Sequence, residues 1–124
     1  MRRVLVVDDN RLSRELIADI LRPLRLEIVE AHDGVAALAA ARRIKPDLVL
    51  LDLAMPGIDG YGVLNELRRN PENARTPVVA VTAQAMPGER ARALAAGFSD
   101  FLTKPVRSAD LRRRVEAFLN DSSV

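Results

Sequence analysis

The chain has 124 residues, enough for one domain, and 48% of them are hydrophobic, enough to fill a core. Its net charge is only +2, from 19 basic and 17 acidic residues, and with no helix-turn-helix or RNA-binding signature this argues against general nucleic-acid binding. Cysteine is absent, which removes disulfides and thiolate metal sites, and the apolar runs are far shorter than a membrane span, so a soluble cytoplasmic protein without a membrane partner is expected.

Val4 to Val7 reads as a strand, followed by Leu12, Leu16, Ile17, Ile20, Leu21 and Leu24 at helical spacing, with Pro23 closing that helix. Leu26 to Val29 is a weaker second strand, and Asp33-Gly34 opens an alanine-rich helix that stops at Lys45-Pro46. The unbroken run Leu48 to Leu51 is a third strand, covered on both faces, and a helix follows from about Gly60 to Arg69. A loop over Asn70 to Thr76 leads to the fourth strand, Val78 to Val81.

Pro87 sits at the expected first turn of the fourth helix, and Gly97 is its C-terminal stop. Ser99 to Leu102 is the fifth strand, and Ser108 is placed to cap a last helix whose core face is Leu111, Val115, Phe118 and Leu119. Five strand-helix units without repeat or linker predict an α/β fold: a doubly wound parallel sheet of five strands with helices on both faces.

The polar residues then fall into place. Asp8 and Asp9 follow the first strand, Asp52 the third, Thr82 the fourth and Lys104 the fifth. All lie at carboxyl ends of strands, the edge where such sheets bind ligands; with strand order 2-1-3-4-5 the three aspartates flank the point where the order reverses. Three converging carboxylates repel one another unless they take up protons or bind a hard cation such as Mg²⁺. Lys104 adds a compact positive charge and Thr82 a hydroxyl, the parts of a site for a tetrahedral anion. With no Ser-His or Cys-His pair in prospect, the only good nucleophile is a carboxylate.

Four pieces carry a resemblance: Val6-Val7-Asp8-Asp9-Asn10, the segment from Leu50 through Asp52 and Met55-Pro56-Gly57 to Gly60, Val81-Thr82-Ala83, and Lys104-Pro105. Together, in this order and each at a strand end, they resemble the receiver domain of bacterial two-component response regulators, a flavodoxin-like (βα)5 fold, over essentially residues 1–124. The resemblance implies that Asp52 is the phosphoacceptor, taking a phosphoryl group from a histidine kinase or histidine phosphotransfer protein. It implies that Asp9, Asp52 and the Ala54 carbonyl bind Mg²⁺, with Asp8 acting through water. Thr82, the Ala83 N–H and Lys104 would hold the phosphoryl oxygens, and the Lys104-Pro105 bond is a cis candidate.

Phe101 occupies the position of the family's switch aromatic. In that scheme Thr82 moves toward the phosphate, Phe101 rotates, and the surface of the fourth helix, fifth strand and fifth helix changes for a downstream protein partner. Ala54 and Gln84 stand where the family tunes access of water to the aspartyl phosphate. The domain is expected to phosphorylate and dephosphorylate itself without turning over external substrates.

Blander readings stand beside these. Asp8-Asp9-Asn10 alone is a turn and helix cap, Thr82 a structural hydroxyl, Lys104 a loop lysine and Phe101 plain core. His32, the only histidine, reads as surface or cap, and Arg107 with Arg112-Arg113-Arg114 as a solvated helix face. A haloacid-dehalogenase-like phosphatase would share the aspartate, threonine and lysine but needs a second aspartate where Ala54 stands. A flavin-mononucleotide binder would need a hydroxyl- and glycine-rich first loop and more aromatics than 3%. The chain's end after the last helix suggests a single-domain regulator, the alternative being a receiver excised from a hybrid kinase.

Overall fold

The computed structural model describes residues 1–83 and 86–121. Five strands, β1 (Arg3–Val7), β2 (Glu27–Ala31), β3 (Leu48–Asp52), β4 (Val78–Thr82) and β5 (Asp100–Thr103), alternate with α1 (Arg11–Leu21), α2 (Gly34–Ile44), α3 (Gly60–Arg69), α4 (Glu89–Ala96) and α5 (Ser108–Asp121). The strands form one parallel sheet in the order 2-1-3-4-5, as predicted.

Alternation along each strand sends side chains to two separate cores. Leu5, Val7, Val49, Leu51 and Ala80 meet Ala37 and Ala41 of α2, Val63 and Leu67 of α3, and Ala93 of α4 on one face. Val4, Val6, Leu48, Leu50, Val79 and Val81 meet Ile17 and Leu21 of α1 and Leu111, Val115 and Leu119 of α5 on the other. Leu48 to Leu51 serve both cores and are fully buried, which is why β3 reads as a continuous apolar run.

Helix ends follow local chemistry. Asn10 and Asp33 cap α1 and α2, their side chains accepting the N–H groups of Ser13 and Ala36. Gly97, at φ 115°, stops α4 as expected.

Four expectations are corrected. The second strand runs over Glu27–Ala31, later than Leu26 to Val29, because pairing with β1 sets its register and a half-exposed edge strand has only a weak apolar pattern. Leu24, read at helical spacing, lies outside α1: the helix ends at Leu21, the Arg22 N–H still reaches the Ala18 carbonyl, and Pro23, with no N–H to continue the ladder, closes it as expected and passes the chain through the 3-10 turn Arg22–Leu24 to Arg25 at φ 56°. Pro87 lies outside α4, whose entry is made by Gly88 at φ 84°. Ser108 is the first residue of α5 and not its cap, because the Arg107 carbonyl accepts the Leu111 N–H at 2.9 Å. The loop predicted over 70–76 contains a further 3-10 turn, Pro71–Asn73. Among the described residues no helix is long and apolar enough to cross a membrane.

Candidate functional site

The exits of β1 and β3 lie side by side, with Val7 opposite Leu51, so Asp8 and Asp9 arrive next to Asp52 at the carboxyl edge. Oxygens of the three carboxylates lie within 4.8 Å of one another. Asp8 and Asp52 are buried, at 1% and 6% exposure, whereas Asp9 faces solvent. Lys104, past the end of β5, reaches into the cluster: its Nζ donates to Asp8 Oδ2 at 2.6 Å and to Asp52 Oδ2 at 3.2 Å. The backbone brings it there through Thr82, whose carbonyl accepts the Lys104 N–H at 2.9 Å. The Lys104-Pro105 bond is cis, as the resemblance implied.

The electrostatics separate the two buried carboxylates. Burial pushes Asp8 up, but hydrogen bonds from Lys104 and the Asn10 N–H outweigh it and hold Asp8 below the usual carboxylate range. Burial prevails at Asp52, raising it against the Ala54 N–H, which donates to Oδ1 at 3.1 Å, and against the Lys104 charge. Lys104 is raised as well: burial opposes its charge, and the bond to Asp8 with the charge of Asp52 prevails. Lys104 thus lies between one carboxylate held below the usual range and one held above it.

The segment after Asp52 folds back over the site. Gly60 opens α3 beside the Asp52-Leu53 backbone, where a Cβ would lie 2.7 Å from Leu53 Cα and 2.8 Å from the Asp52 carbonyl oxygen. Only glycine permits that approach, so the closing Gly60 of the motif sets the position of Asp52.

The remaining predicted residues are placed as follows. Ala54 is exposed beside Asp52, Thr82 is buried at the end of β4, and Ala83 follows it at the surface. Phe101 is not in the site itself; its ring is packed in the core with Ala80, Ala93 and Phe98, and it lines a 450 Å³ cavity with Met86, Val106 and Arg114. Gln84 lies outside the described residues. His32 is exposed beside Asp33, 3.4 Å away. Arg113 and Arg114 pair with Asp110, Arg114 also with Asp100 at 2.7 Å, and Arg112 donates to the Ile20 carbonyl at 2.8 Å, so the run is tied to the fold of its own face.

Sequence reasoning passed over Arg14, whose Nη1 donates to the Asp8 carbonyl at 2.9 Å. It also passed over the bridge from α3 to α4, in which Arg92 stacks 4.6 Å over the Tyr61 ring and the Tyr61 hydroxyl lies 3.4 Å from Glu89. Arginine supplies 17 of the 19 basic residues, so no single one stands out in composition or spacing.

The family model for the response regulator receiver domain matches residues 4–116. The chain belongs to the response regulator receiver family. This receiver is 43% identical over 115 residues to the response regulator PleD of Caulobacter vibrioides, covering 93% of this chain and 25% of that one. It is 32% identical over 119 residues to the polar-differentiation response regulator DivK of Brucella anthropi, covering 96% of this chain and 97% of the relative. The solved receiver domain of the sensor histidine kinase PA1611 of Pseudomonas aeruginosa, with a magnesium ion in its active-site cleft, superimposes with a TM-score of 0.88 at 34% identity, covering 96% of this chain and 98% of that one. The receiver spans about a quarter of PleD and nearly all of DivK.

It is a signalling domain of two-component systems, of the kind found in response regulators and in hybrid kinases, and the phosphatase alternative is not favoured. Receivers bind Mg²⁺ and interact with histidine kinases or phosphotransfer proteins and with effectors. The three carboxylates suit that ion: they are oxygen ligands, two of them buried, and Lys104 is the one cation paired with them among the described residues.

Proposed function

We propose that residues 1–124 work as one receiver domain in which Asp52 accepts a phosphoryl group from the phosphohistidine of a kinase or phosphotransfer protein. The observation that carries this is the convergence of Asp8, Asp9, Asp52 and Lys104 on one point of the carboxyl edge. An Asp52 carboxylate oxygen attacks phosphorus, the O–P bond forms as the P–N bond of phosphohistidine breaks, and the imidazole leaves with the electron pair. Burial keeps Asp52 more basic than an ordinary carboxylate, which favours it as the nucleophile over Asp8.

Asp9, Asp52 and the Ala54 carbonyl would hold Mg²⁺ directly and Asp8 through water. When bound, the ion neutralises charge on the phosphoryl oxygens. Lys104 supplies a second positive charge, and Thr82 with the Ala83 N–H holds the remaining oxygen. The position two residues after Asp52, where a phosphatase of the haloacid-dehalogenase kind needs its acid and base, is Ala54, so only self-dephosphorylation is expected.

The output reading follows from Thr82 and Phe101. Drawing the Thr82 hydroxyl to the phosphoryl group vacates space on β4, and Phe101, one strand away and lining the cavity between α4 and α5, is the ring to occupy it. The α4-β5-α5 surface then presents a changed face to a downstream protein partner in the cytoplasm, with neither nucleic acid nor membrane contacted directly.

The test is intact mass after incubation with acetyl phosphate, with and without Mg²⁺, on the native chain and on Asp52→Asn. One phosphoryl group that requires both Mg²⁺ and Asp52 is expected. An adduct that persists in Asp52→Asn, or none on the native chain with Mg²⁺ present, refutes the assignment.

A further inference from the structure

Asp9 has a positioning problem. Of the three carboxylates it is the exposed one, and its side chain makes no hydrogen bond or ion pair among the described residues. Its direction is therefore left to the backbone, above all to the peptide plane joining Asp8 to Asp9. The Asp8 carbonyl lies in that plane, one residue past the end of β1, and a side chain holds it: Arg14 Nη1 donates to it at 2.9 Å. The same guanidinium donates through Nε to Glu30 Oε1 on β2 at 3.0 Å, and the Arg14 side chain is only 15% exposed. One planar fork thus ties α1, the exit of β1 and the edge strand together, which a lysine ammonium would do less rigidly.

We infer that Arg14, oriented by Glu30, is a positioning residue for Mg²⁺: by fixing the Asp8-Asp9 peptide plane it aims the otherwise unsupported Asp9 carboxylate at the ion. This rests on the metal reading under Proposed function. Two effects of Arg14 have opposite signs, which makes the role measurable. A positive charge beside an acidic cluster repels a cation, so its removal by charge alone tightens Mg²⁺ binding. Loss of the aiming function loosens it, and partners that orient metal ligands are typically worth about 10–100-fold in affinity.

The experiment is calorimetric titration of the full chain with Mg²⁺, unphosphorylated, in native form and as Arg14→Met, Arg14→Lys and Asp9→Asn, with amide spectra to verify folding and to follow the Asp9 N–H. Arg14→Met is expected to bind Mg²⁺ about tenfold more weakly despite its lost charge. Arg14→Lys, which keeps the charge but has one ammonium for two acceptors, falls between it and the native chain, and the Asp9 amide shifts in both. Unchanged or tighter binding by Arg14→Met overturns the inference. If Arg14→Met does not fold, Arg14→Lys decides alone, because it keeps the charge: weaker Mg²⁺ binding with a shifted Asp9 amide supports the inference, and unchanged binding overturns it. A native chain that ignores Mg²⁺, or an Asp9→Asn variant that binds as the native does, overturns the metal reading itself, and Arg14's role falls with it.

Discussion

Lys104→Met removes the cation that two buried carboxylates share, while keeping most of the side-chain volume. Its Nζ lies 2.6 Å from Asp8 and 3.2 Å from Asp52, and the side chains of the three residues are 17%, 1% and 8% exposed. Unit charges about 4 Å apart interact by about 4 kcal/mol at an effective dielectric near 20. Breaking a buried pair from one side typically costs about 3–5 kcal/mol. A loss of about 3 kcal/mol in metal-free protein at pH 7 is therefore expected, read as a lowered urea midpoint by circular dichroism. The pH window follows from the shifts. Asp8 is lowered below 3.8 in the fold, so its contribution is present above 3.8 and lost as pH falls through the folded value. Lys104 is raised above 10.5, so its contribution is present below 10.5 and lost as pH rises through the folded value. The difference between native and variant should hence be full at pH 7 and shrink toward pH 4, as the carboxylates of the variant take up protons. Mg²⁺ should stabilise the variant more than the native chain, by about 1.4 kcal/mol for each tenfold gain in affinity. A loss under about 1 kcal/mol, or one independent of pH down to 4, would refute the buried-triad argument and leave Lys104 a solvated loop lysine.

Gly60→Ala places a Cβ 2.7 Å from Leu53 Cα and 2.8 Å from the Asp52 carbonyl, backbone atoms that have no easy way to yield. A loss of about 1–3 kcal/mol is expected, with slower phosphorylation of Asp52 by acetyl phosphate; a native rate and midpoint contradict the close approach. Phe101→Ala empties a core position that is 5% exposed and should cost about 3–5 kcal/mol by urea denaturation, a cost under about 1 kcal/mol placing the ring outside the core. Asp52→Asn should stabilise metal-free protein at neutral pH, because burial raises the folded pKa of Asp52 above 3.8 and the ionised form costs stability above that window. The gain should vanish as pH falls toward 3.8, and a variant less stable than native at pH 7 overturns this sign.

Residues differ in how legible they are from sequence, and the difference follows the range over which their roles are set. Asp52 is legible because four apolar residues in a row, bounded by Pro46 and by Pro56-Gly57, read as a doubly covered strand, and an unpaired carboxylate is tolerated only at its end. Thr82 and Lys104 are read the same way, through strand ends, and the parallel topology then brings Lys104 to an aspartate 96 residues away. The second strand is misplaced for the complementary reason: β2 lies at the edge, its burial is partial, and only pairing with β1 decides where it starts. Pro87 and Ser108 carry correct local signals, yet Gly88 and the Arg107 carbonyl, fixed by the path of the neighbouring chain, make the helix entries. Arg14 and Glu30 have no local signature at all. Their meaning arises where one guanidinium meets a carbonyl six residues back and a carboxylate sixteen residues on. In a chain this rich in arginine, the side chains that carry charge to the site are visible in sequence, and those that hold its backbone still are visible only in the fold.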